Sequence, residues 1–387
     1  MRRNKELELY IHIPFCVKKC AYCDFLSSPQ DEDTREKYVT KILEEIYAHG
    51  SNEDVTQQYM VSTIFLGGGT PSILKPSWII RIFDALRCVF DISEDAEISI
   101  EANPGTVTAE KLQAYKECGI NRISFGLQSA NNEELKLLGR LHTYEEFLES
   151  FRLARECGFD NINVDLISAI PKQTVKSWEE TLLKVIGLEP EHISAYSLIV
   201  EEGTPFAKTY GEGCSGEHDL PSEEEERIIY YRTEELLEKA GYHRYEISNY
   251  AKKGKECRHN LGYWERKEYL GIGLGAASLV DNTRFKNTDN LLYYMKHAGD
   301  INAIQEDVET LSVKEQMEEF MFLGLRKMEG VSTAEFKKLF GKDREECYGE
   351  QILELIEQGL LEQKDGRLML TKQGIDVSNY VFAKFLI

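Results

Sequence analysis

Short apolar, β-branched segments alternate with segments of helical periodicity along the first half of the chain. Six of the short segments are predicted strands, at residues 7–15, 61–66, 97–101, 123–128, 162–167 and 193–200. Strands that alternate with helices are typical of a parallel sheet, because each helix returns the chain to the start of the next strand. The pattern therefore predicts an α/β fold built from six βα units.

Two connections in this region repeat one another 39 residues apart. Lys116-Glu-Cys-Gly and Arg155-Glu-Cys-Gly each place a glycine where a helix ends and the next strand begins, a position that favours a left-handed backbone. The cysteines of these two sequences, Cys118 and Cys157, therefore belong to helix ends. We expect them to be core residues rather than cluster ligands.

The pattern changes after about residue 200. Ser222 precedes four consecutive glutamates and predicts a helix with a capping serine and an acidic first turn. Near the C-terminus, three helical segments precede a hairpin whose turn is Asp365-Gly366, which predicts a winged-helix-like domain. The helical segments are residues 317–327, 333–340 and 347–358. We expect three regions: a core in residues 1–205, an extension in residues 206–300 and the winged-helix-like domain in residues 301–387.

The chain carries 67 acidic and 46 basic side chains, which give a formal charge of -21. Such a charge repels nucleic acids and anionic lipids, so no nucleic-acid partner is expected. Residues 311–387 contain 14 acidic and 11 basic side chains. Because a DNA-binding winged helix carries a basic surface, we expect this domain to serve structure or partner docking instead.

Nine cysteines occur in a chain whose first residues lead into a strand rather than into the apolar core of a signal peptide. Free cysteines are typical of reducing compartments, so we expect a cytoplasmic protein. No uninterrupted apolar segment approaches the roughly 20 residues that span a bilayer, and no transmembrane segment is expected.

Cys16, Cys20 and Cys23 follow the first predicted strand with a spacing of three residues and then two. Thiolates this close on one loop can hold a small inorganic cluster, and three of them leave one iron of a [4Fe–4S] cube without a protein ligand. That iron is then open to chemistry. Three ordinary buried thiols or a zinc site are the alternatives.

Further polar and glycine residues stand where later strands end. The run Gly67-Gly-Gly-Thr70-Pro follows the second strand, and consecutive glycines let the backbone approach a ligand closely. The other candidates are Glu101, Gln128, Arg140 and Asp165, with Tyr10, Tyr22 and Ile199 as packing partners. The carboxyl ends of parallel strands meet at one rim, so these side chains are predicted to converge there.

The Cys-x3-Cys-x2-Cys loop after a first strand resembles the radical S-adenosylmethionine (SAM) superfamily. The resemblance implies a partial (β/α)6 radical SAM barrel, here followed by a C-terminal α/β extension and the winged-helix-like helical domain. It implies a [4Fe–4S] cluster held by Cys16, Cys20 and Cys23, with SAM on the open iron. Gly68, Gly69 and Thr70 match the superfamily's loop for the aminoacyl part of SAM. The other expected SAM-binding residues are Tyr10, Tyr22, Glu101, Gln128, Arg140 and Asp165.

Ile11-His-Ile-Pro-Phe, Phe125-Gly-Leu-Gln and Pro171-Lys-Gln narrow the resemblance to the coproporphyrinogen III dehydrogenase-like group. The dehydrogenases in that group have a further cysteine two residues after the third, where this chain has Phe25. Heme chaperones in the same group resemble this chain at Phe25 and at His259-Asn-Leu-Gly-Tyr-Trp, an HNxxYW motif associated there with heme binding. This resemblance implies that His259 binds heme.

An imidazole is a natural axial ligand for heme iron, and a Tyr-Trp pair offers a flat apolar surface to a porphyrin. One departure from the pattern is Ala277, which stands where many relatives have histidine. It follows the glycine-rich run Gly271-Ile-Gly-Leu-Gly, which mimics a dinucleotide fingerprint. This run lacks the strand-turn-helix context and the downstream acid that the fingerprint requires.

The resemblance implies a chaperone that binds heme and carries it to acceptor proteins such as respiratory enzymes at the membrane, with a small electron-donor protein as a further partner. One alternative is an oxygen-independent dehydrogenase that decarboxylates coproporphyrinogen III propionates by 5′-deoxyadenosyl radical chemistry. A second alternative is a winged-helix regulator with a redox cluster. Phe25 argues against the dehydrogenase, and the acidic C-terminal region argues against the regulator.

Overall fold

A computed structural model of the chain describes residues 5–51 and 58–386. The strands are β1 Lys5–Ile13, β2 Tyr59–Gly68, β3 Ile92–Ala102, β4 Arg122–Gln128, β5 Ile162–Ser168, β6 His192–Ser197, β7 His243–Arg244, β8 Asn249–Ala251, β9 Tyr269–Ile272, β10 Ala277–Val280, β11 Thr283–Asn287, β12 Gln305–Thr310, β13 Val331–Ser332, β14 Leu361–Lys364 and β15 Arg367–Leu370. The helices are α1 Glu32–Gly50, α2 Pro76–Val89, α3 Ala109–Glu117, α4 Asn132–Leu138, α5 Tyr144–Glu156, α6 Val175–Ile186, α7 Pro205–Tyr210, α8 Glu223–Lys239, α9 Arg258–Trp264, α10 Leu291–His297, α11 Ile301–Ile304, α12 Val313–Gly324, α13 Thr333–Phe340, α14 Arg344–Glu357, α15 Lys372–Asp376 and α16 Ser378–Ala383.

One large sheet has the strand order β12-β11-β10-β9-β1-β2-β3-β4-β5-β6-β8-β7 within the described residues. The strands from β1 to β6 pair in parallel and in chain order. This arrangement confirms the predicted α/β fold with its six βα units. The sixth strand ends at Ser197 rather than at residue 200, and one more hydrogen bond, from the Leu198 amide to the Ser168 carbonyl, connects the chain to β5 beyond that end.

The two faces of the parallel strands differ sharply in polarity. In β1, Leu7, Leu9 and Ile11 are fully buried in the main apolar core. The alternate residues, such as Glu8 and Tyr10, belong to the opposite face, since neighbouring side chains on a strand point to opposite sides. Complete eight-unit barrels fill their interior with bulky branched side chains. Here the concave side of the sheet is lined by polar and aromatic groups, which leaves room for internal cavities.

Both repeated glycines terminate a helix in the predicted way. Gly119 and Gly158 have φ angles of 80° and 83° and lie two residues after the ends of α3 and α5. Cys118 caps the first of these helices and is 2% exposed, whereas Cys157 caps the second and is partly exposed. The expected helix-end position is therefore confirmed for both cysteines.

The extension lengthens the sheet on the side of β1. β9 pairs in parallel with β1, and β10, β11 and β12 follow as antiparallel strands. The buried Glu45 carboxylate of α1 accepts hydrogen bonds from the Gly273 amide at 2.9 Å, the Asn287 side chain at 2.6 Å and the Tyr294 hydroxyl at 2.5 Å. These three contacts fix the glycine-rich run against the barrel core.

The C-terminal domain has an apolar core of its own. α12, α13 and α14 pack beside the three-stranded sheet β13-β15-β14, as the winged-helix pattern predicts. α12 begins at Val313, earlier than the sequence pattern indicated, because Ser312 and Glu315 form a capping box at its start. β12 still belongs to the large sheet, so this second core starts after residue 310.

The described part of the chain contains no helix that is both long enough and apolar enough to cross a membrane.

A first prediction concerns Gly271, where β9 passes close to the start of β10. A Cβ atom at this position would lie 2.3 Å from the Ala277 carbonyl oxygen, a backbone atom that cannot move without shifting a strand. We expect Gly271→Ala to lower the free energy of unfolding by about 1–3 kcal/mol, measured by denaturant titration. Gly349→Ala is the control, because nothing lies within 4 Å of its added Cβ and alanine favours the helical backbone of α14. Equal stability of both variants would contradict this view of the glycine-rich run.

Candidate functional site

A cavity of about 380 Å³ opens at the carboxyl ends of the parallel strands. All of the residues predicted to bind the cluster or a cofactor line it, except Tyr10 and His259. The predicted residues that line it are Cys16, Cys20, Tyr22, Cys23, Gly68, Gly69, Thr70, Glu101, Gln128, Arg140 and Asp165. We call it the upper cavity.

The cysteine loop forms one wall of the upper cavity. Cys16 is buried, Cys20 and Cys23 are partly exposed, and all three are free thiols. The Thr70 hydroxyl donates to the Cys16 sulfur at 3.5 Å, and the Arg140 guanidinium donates to the Cys20 sulfur at 3.5 Å. Hydrogen bonds from the barrel rim thus reach two of the three sulfurs.

His12 anchors this loop from inside the barrel. Its Nε2 lies 2.9 Å from the Leu26 carbonyl oxygen just beyond the cysteines, and its Nδ1 lies 3.0 Å from the Tyr10 hydroxyl. Burial lowers the pKa of His12, so the neutral ring bridges the strand and the loop. The end of β1 therefore sets the position of the thiols.

The glycines after β2 are required because neighbouring atoms leave no space for side chains, as well as for the close approach of a ligand to the backbone. A Cβ atom at Gly69 would lie 2.6 Å from the Phe15 carbonyl oxygen, and one at Gly68 would lie 2.7 Å from the His12 ring. Gly68 has a φ of 115°, which other residues rarely adopt. Its amide donates to the Glu101 carboxylate at 2.9 Å, which orients that side chain at the cavity wall.

Two acids, Glu101 on β3 and Asp165 on β5, line the upper cavity on either side of β4. Burial raises the pKa of Glu101 to about 8, and the neighbouring Asp165 contributes to the shift. Asp165 accepts hydrogen bonds from the Ser124 hydroxyl at 2.8 Å and from the Asn163 side chain at 2.7 Å. The pair can receive a cationic or hydroxyl-bearing ligand, because an opposite charge favours the ionised form of Glu101.

Gln128 occupies a strained position at the end of β4. Its φ is 75°, and the register of β4 against β5 shifts next to it. Its side-chain oxygen is buried and has no hydrogen-bond partner among the described residues. Such strain and such an orphaned acceptor are typical of ligand-binding positions. This observation fits a polar ligand in the upper cavity.

Arg140 spans the cavity wall beneath the cysteine loop. Besides its contact with Cys20, its guanidinium donates to the Gly126 carbonyl at 2.5 Å and to the Asn103 side chain at 2.7 Å. Arg140 thereby connects β4, the loop after β3 and the cysteine loop.

A second, smaller space of about 200 Å³ lies deeper on the concave side of the sheet, and we call it the lower chamber. Glu101, Ser124, Asp165 and Tyr196 line both spaces. Tyr10 lines the lower chamber together with Glu101 and Asp165, but unlike the other predicted SAM-binding residues it does not reach the upper cavity. Tyr10 lies deeper in the barrel because it precedes His12 by two residues on the same face of β1.

α9, which carries the HNxxYW motif, forms the floor of the lower chamber. His259 is 1% exposed, and both of its ring nitrogens have partners: Nδ1 lies 2.6 Å from the Thr63 hydroxyl and Nε2 lies 3.0 Å from the Tyr263 hydroxyl. Burial lowers the pKa of His259 to about 3. Iron ligation would require the loss of one of these two contacts, and a heme-sized ligand needs a larger space than this chamber offers.

The Tyr-Trp pair of the motif does not form one porphyrin face. The Tyr263 ring packs edge-on against His259 and Tyr269, while the Trp264 ring stacks under the Arg326 guanidinium at 5.0 Å. The expected heme contact at His259 therefore does not fit this structure. The sequence showed the motif but not that its helix closes the barrel.

Sequence reasoning did not identify Asn103, Ser124 and Tyr196, which also line the upper cavity. Ser124 is the Cα partner of Glu101 in the register of β3 and β4. A predicted register between β3 and β4 would have identified Ser124 as a neighbour of Glu101, because side chains at paired positions share a face. For Ser124, the sequence signal was therefore the spacing of polar residues along the two strands.

The mouth of the upper cavity carries exposed apolar side chains. Phe25 is 61% exposed and Ile199 is 68% exposed, and both line the cavity. Val17 and Leu26, which flank the cysteines, are also exposed. An apolar surface around a cavity is typical of a site for a further ligand.

Comparison with known families and proteins gives consistent matches. The model for the Radical SAM superfamily matches residues 10–185, and that for the HemN C-terminal domain matches residues 311–377. The heme chaperone HemW of Lactococcus lactis subsp. lactis (strain IL1403) is 38% identical over 384 residues, which cover 99% of this chain and 98% of that protein. The heme chaperone HemW of Escherichia coli (strain K12) is 36% identical over 389 residues, covering 98% of each chain.

Among solved structures, the coproporphyrinogen III oxidase HemN from Escherichia coli, described as a radical SAM enzyme, has a TM-score of 0.86 against this chain. It shares 24% sequence identity, and the match covers 99% of this chain and 91% of that chain. At this identity the likeness shows the fold alone. It confirms the radical SAM barrel together with the extension and the C-terminal domain.

A second prediction concerns the pH dependence of stability. Because the pKa of Glu101 rises from 4.5 to about 8 on folding, the folded protein binds more protons than the unfolded chain between these values. Its contribution therefore makes stability fall as the pH rises from about 4.5 to 8. In Glu101→Gln this slope should become shallower, with a gain on the order of 1–3 kcal/mol at pH 8, measured by denaturant titrations across the range. The exposed Glu350→Gln is the control; an unchanged slope in Glu101→Gln would contradict the assignment.

Proposed function

The chain belongs to the HemW family of radical SAM proteins, and we propose that it binds heme and transfers it to acceptor proteins. The observation that carries the proposal is the similarity to curated heme chaperones over 98–99% of the chain, at 36% and 38% identity. The features of the upper cavity are consistent with this similarity. The acceptors we propose are respiratory enzymes at the membrane, and we propose a small redox protein as electron donor.

The upper cavity supports a [4Fe–4S] cluster on Cys16, Cys20 and Cys23. The three thiols are free, lie on one short loop and line the same cavity. Three thiolates with one open iron are the donor set for a cluster that binds a further ligand. A bound cluster supplies one-electron chemistry, and Arg140 and Thr70 would stabilise the negative charge on its sulfurs by hydrogen bonding.

SAM fits the remaining part of the upper cavity. Glu101 and Asp165 provide acceptors for its ammonium group or ribose hydroxyls, and Gln128 provides a buried oxygen that lacks a partner. The glycine run keeps this wall free of side chains. Tyr22, which lines the same cavity, offers a ring face to the apolar parts of SAM.

For heme we propose contact at the mouth of the upper cavity rather than iron ligation by His259. Phe25 and Ile199 are exposed there and can cover a porphyrin face. Lys18, exposed on the cysteine loop, can pair with a propionate. A ligand bound at the surface also remains accessible to an acceptor, which a transferred cargo requires.

The dehydrogenase is the second candidate, and the fold similarity to HemN is its support. That similarity shows the fold and not the reaction. Phe25 stands where the dehydrogenases of this group have a further cysteine, so the edge of the cluster loop differs. Heme transfer remains the function that we propose.

We propose that the protein acts in the reducing cytoplasm. All nine cysteines are free thiols, including the partly exposed Cys20 and Cys23. A thiolate-bound cluster needs reduced ligands, and reducing compartments maintain them.

A third prediction tests the cluster. After anaerobic reconstitution, the protein should bind about four irons per chain, measured by iron and sulfide analysis. Cys16→Ala, Cys20→Ala and Cys23→Ala should each abolish this binding, because each removes a ligand. Cys88→Ala and Cys118→Ala remove thiols outside the upper cavity and should retain the cluster. Retention of a full cluster in Cys20→Ala would refute the ligand set.

A fourth prediction concerns the heme contact. The protein should develop a Soret band on incubation with heme, and the band should persist through gel filtration. Phe25→Ser combined with Ile199→Ser should weaken heme binding by roughly tenfold or more, because apolar contact area is lost. The His259→Gln variant should keep the Soret maximum of the unsubstituted protein.

The control for this titration is Leu292→Ser, which removes an 83% exposed side chain that does not line the upper cavity. A shifted Soret maximum in His259→Gln, with intact binding in the double variant, would restore His259 as the iron ligand. Absence of any retained heme would contradict the proposed chaperone function itself.

A further inference from the structure

A chain of hydrogen bonds connects Asp165 in the upper cavity with the start of α9. The Asn163 side chain donates to Asp165 at 2.7 Å, and its oxygen lies 2.6 Å from Nδ1 of His192. Nε2 of His192 lies 2.8 Å from the Tyr245 hydroxyl. That hydroxyl accepts from the backbone amide of Cys257 at 3.3 Å. Four successive contacts therefore join the acid to the helix that closes the barrel.

The three side chains between these ends are shielded from solvent. His192 is 0% exposed and Asn163 is 2% exposed, while Tyr245 is 8% exposed. The groups are contributed by β5, β6 and the segment that follows β7. None of these residues carries out a role in the cluster or SAM sites described above. A buried polar network of this kind is costly unless every member is paired. Each donor must therefore face an acceptor, which allows the donor and the acceptor of every hydrogen bond to be assigned.

The direction of each bond follows from chemistry. The Asn163 amide group donates both to Asp165 and to the Ser124 hydroxyl, at 2.7 Å each, so its oxygen faces His192. An amide oxygen can only accept, so Nδ1 of His192, 2.6 Å away, carries the proton; the Ser194 hydroxyl donates to the same oxygen at 3.2 Å. Burial, with Arg122 nearby, keeps the pKa of His192 well below its usual value, so the ring is neutral and Nε2 is an acceptor.

The Tyr245 hydroxyl accordingly donates to Nε2 and accepts from Cys257. Every donor in the chain points toward Asp165, from the Cys257 amide through Tyr245, His192 and Asn163. Hydrogen bonds aligned in one direction polarise and strengthen one another. The last bond of the series therefore favours a fixed orientation of the Asp165 carboxylate.

We propose that His192 and Tyr245 are positioning residues that orient Asp165 for SAM binding. The inference rests on the proposed role of Asp165 toward SAM. Neither residue contacts the upper cavity, so each acts only through the intervening side chains. Ser124 donates to the second carboxylate oxygen at 2.8 Å and itself accepts from Asn163, so Asn163 supports both oxygens of Asp165, one directly and one through Ser124.

The same network reaches the C-terminal domain. The carbonyl oxygen of Tyr245 accepts from the Met328 amide at 3.0 Å, in the turn that follows α12. On the adjoining side of α9, Arg326 lies between the rings of Trp264 and Phe382, at 5.0 Å from each centroid. Tyr245 thus contacts the start of α9 through its hydroxyl and the C-terminal domain through its backbone carbonyl. The C-terminal domain therefore helps to position Tyr245, the first side chain in the series of hydrogen bonds.

The experiment measures SAM affinity by anaerobic calorimetry on the reconstituted full chain, in a double-mutant cycle. Tyr245→Phe removes the donor to His192 together with the acceptor for the Cys257 amide, and it should weaken SAM binding by roughly two- to tenfold. Asp165→Ala should weaken it further. Tyr245→Phe added to Asp165→Ala should have no additional effect, because the acceptor of the chain is already lost.

Tyr115→Phe is the matched control. Tyr115 is fully buried like the network residues, but its hydroxyl has no hydrogen-bond partner among the described residues. Its substitution should leave SAM affinity unchanged. His192→Leu and His192→Gln form a second pair, in which the glutamine amide can still donate to Asn163 and accept from Tyr245. The glutamine variant should retain more affinity than the leucine variant.

The outcomes separate the two levels of the argument. Unchanged SAM affinity in Asp165→Ala would refute the role of Asp165 in the proposed function, and this inference with it. A clear loss in Asp165→Ala, together with no loss in Tyr245→Phe or with losses that multiply in the double variant, would overturn the inference alone. Iron content and thermal unfolding of each variant verify that the cluster and the fold are intact.

Discussion

Polar groups inside a barrel have to be paired without bulk water, and this requirement organises most of the structure. An unpaired polar group in protein costs roughly 1–3 kcal/mol. Asp165 is paired by Ser124 and Asn163, and the backbone of Gly68 pairs with Glu101. Ser124 and Gly68 come from neighbouring strands, whereas Asn163 lies two residues before Asp165 on β5, so the parallel register and the alternation along one strand together fix the site. Among the cavity-lining side chains discussed above, the buried oxygen of Gln128 and Nε of Arg140 lack partners; the Gln128 oxygen is an acceptor without a donor and is therefore a position for a ligand.

The sequence was sufficient for the parts of the fold that have local causes. Alternating strands and helices predicted the sheet, helix-end glycines predicted the places of Cys118 and Cys157, and the Asp-Gly turn predicted the C-terminal hairpin. The residues expected at the strand ends line one cavity for the same reason, since parallel strands end at a common rim. The same reasoning could not predict how deep in the barrel each side chain lies. Two residues along a strand span about 6–7 Å, and that distance separates the level of Tyr10 from the level of His12.

The burial of His259 has a different cause. Residues four apart on a helix share a face, so the pairing of His259 with Tyr263 follows from the spacing of the motif. Trp264 lies about 100° further around the helix and meets the C-terminal domain instead. Spacing alone does not say which face is buried. That depends on contacts between distant segments, such as the approach of α9 to Glu8 and Thr63 on the first two strands.

A carrier must hold its cargo and also release it, and this requirement distinguishes the two places considered for heme. A ligand coordinated by a side chain that is 1% exposed could leave only if the floor helix moved, and that helix is bound both to the barrel and to the C-terminal domain. Exposed apolar side chains at the cavity mouth involve no such movement. The same floor helix starts the hydrogen-bond chain to Asp165. Its burial is therefore better explained by a positioning role toward the upper cavity than by direct contact with a transferred ligand.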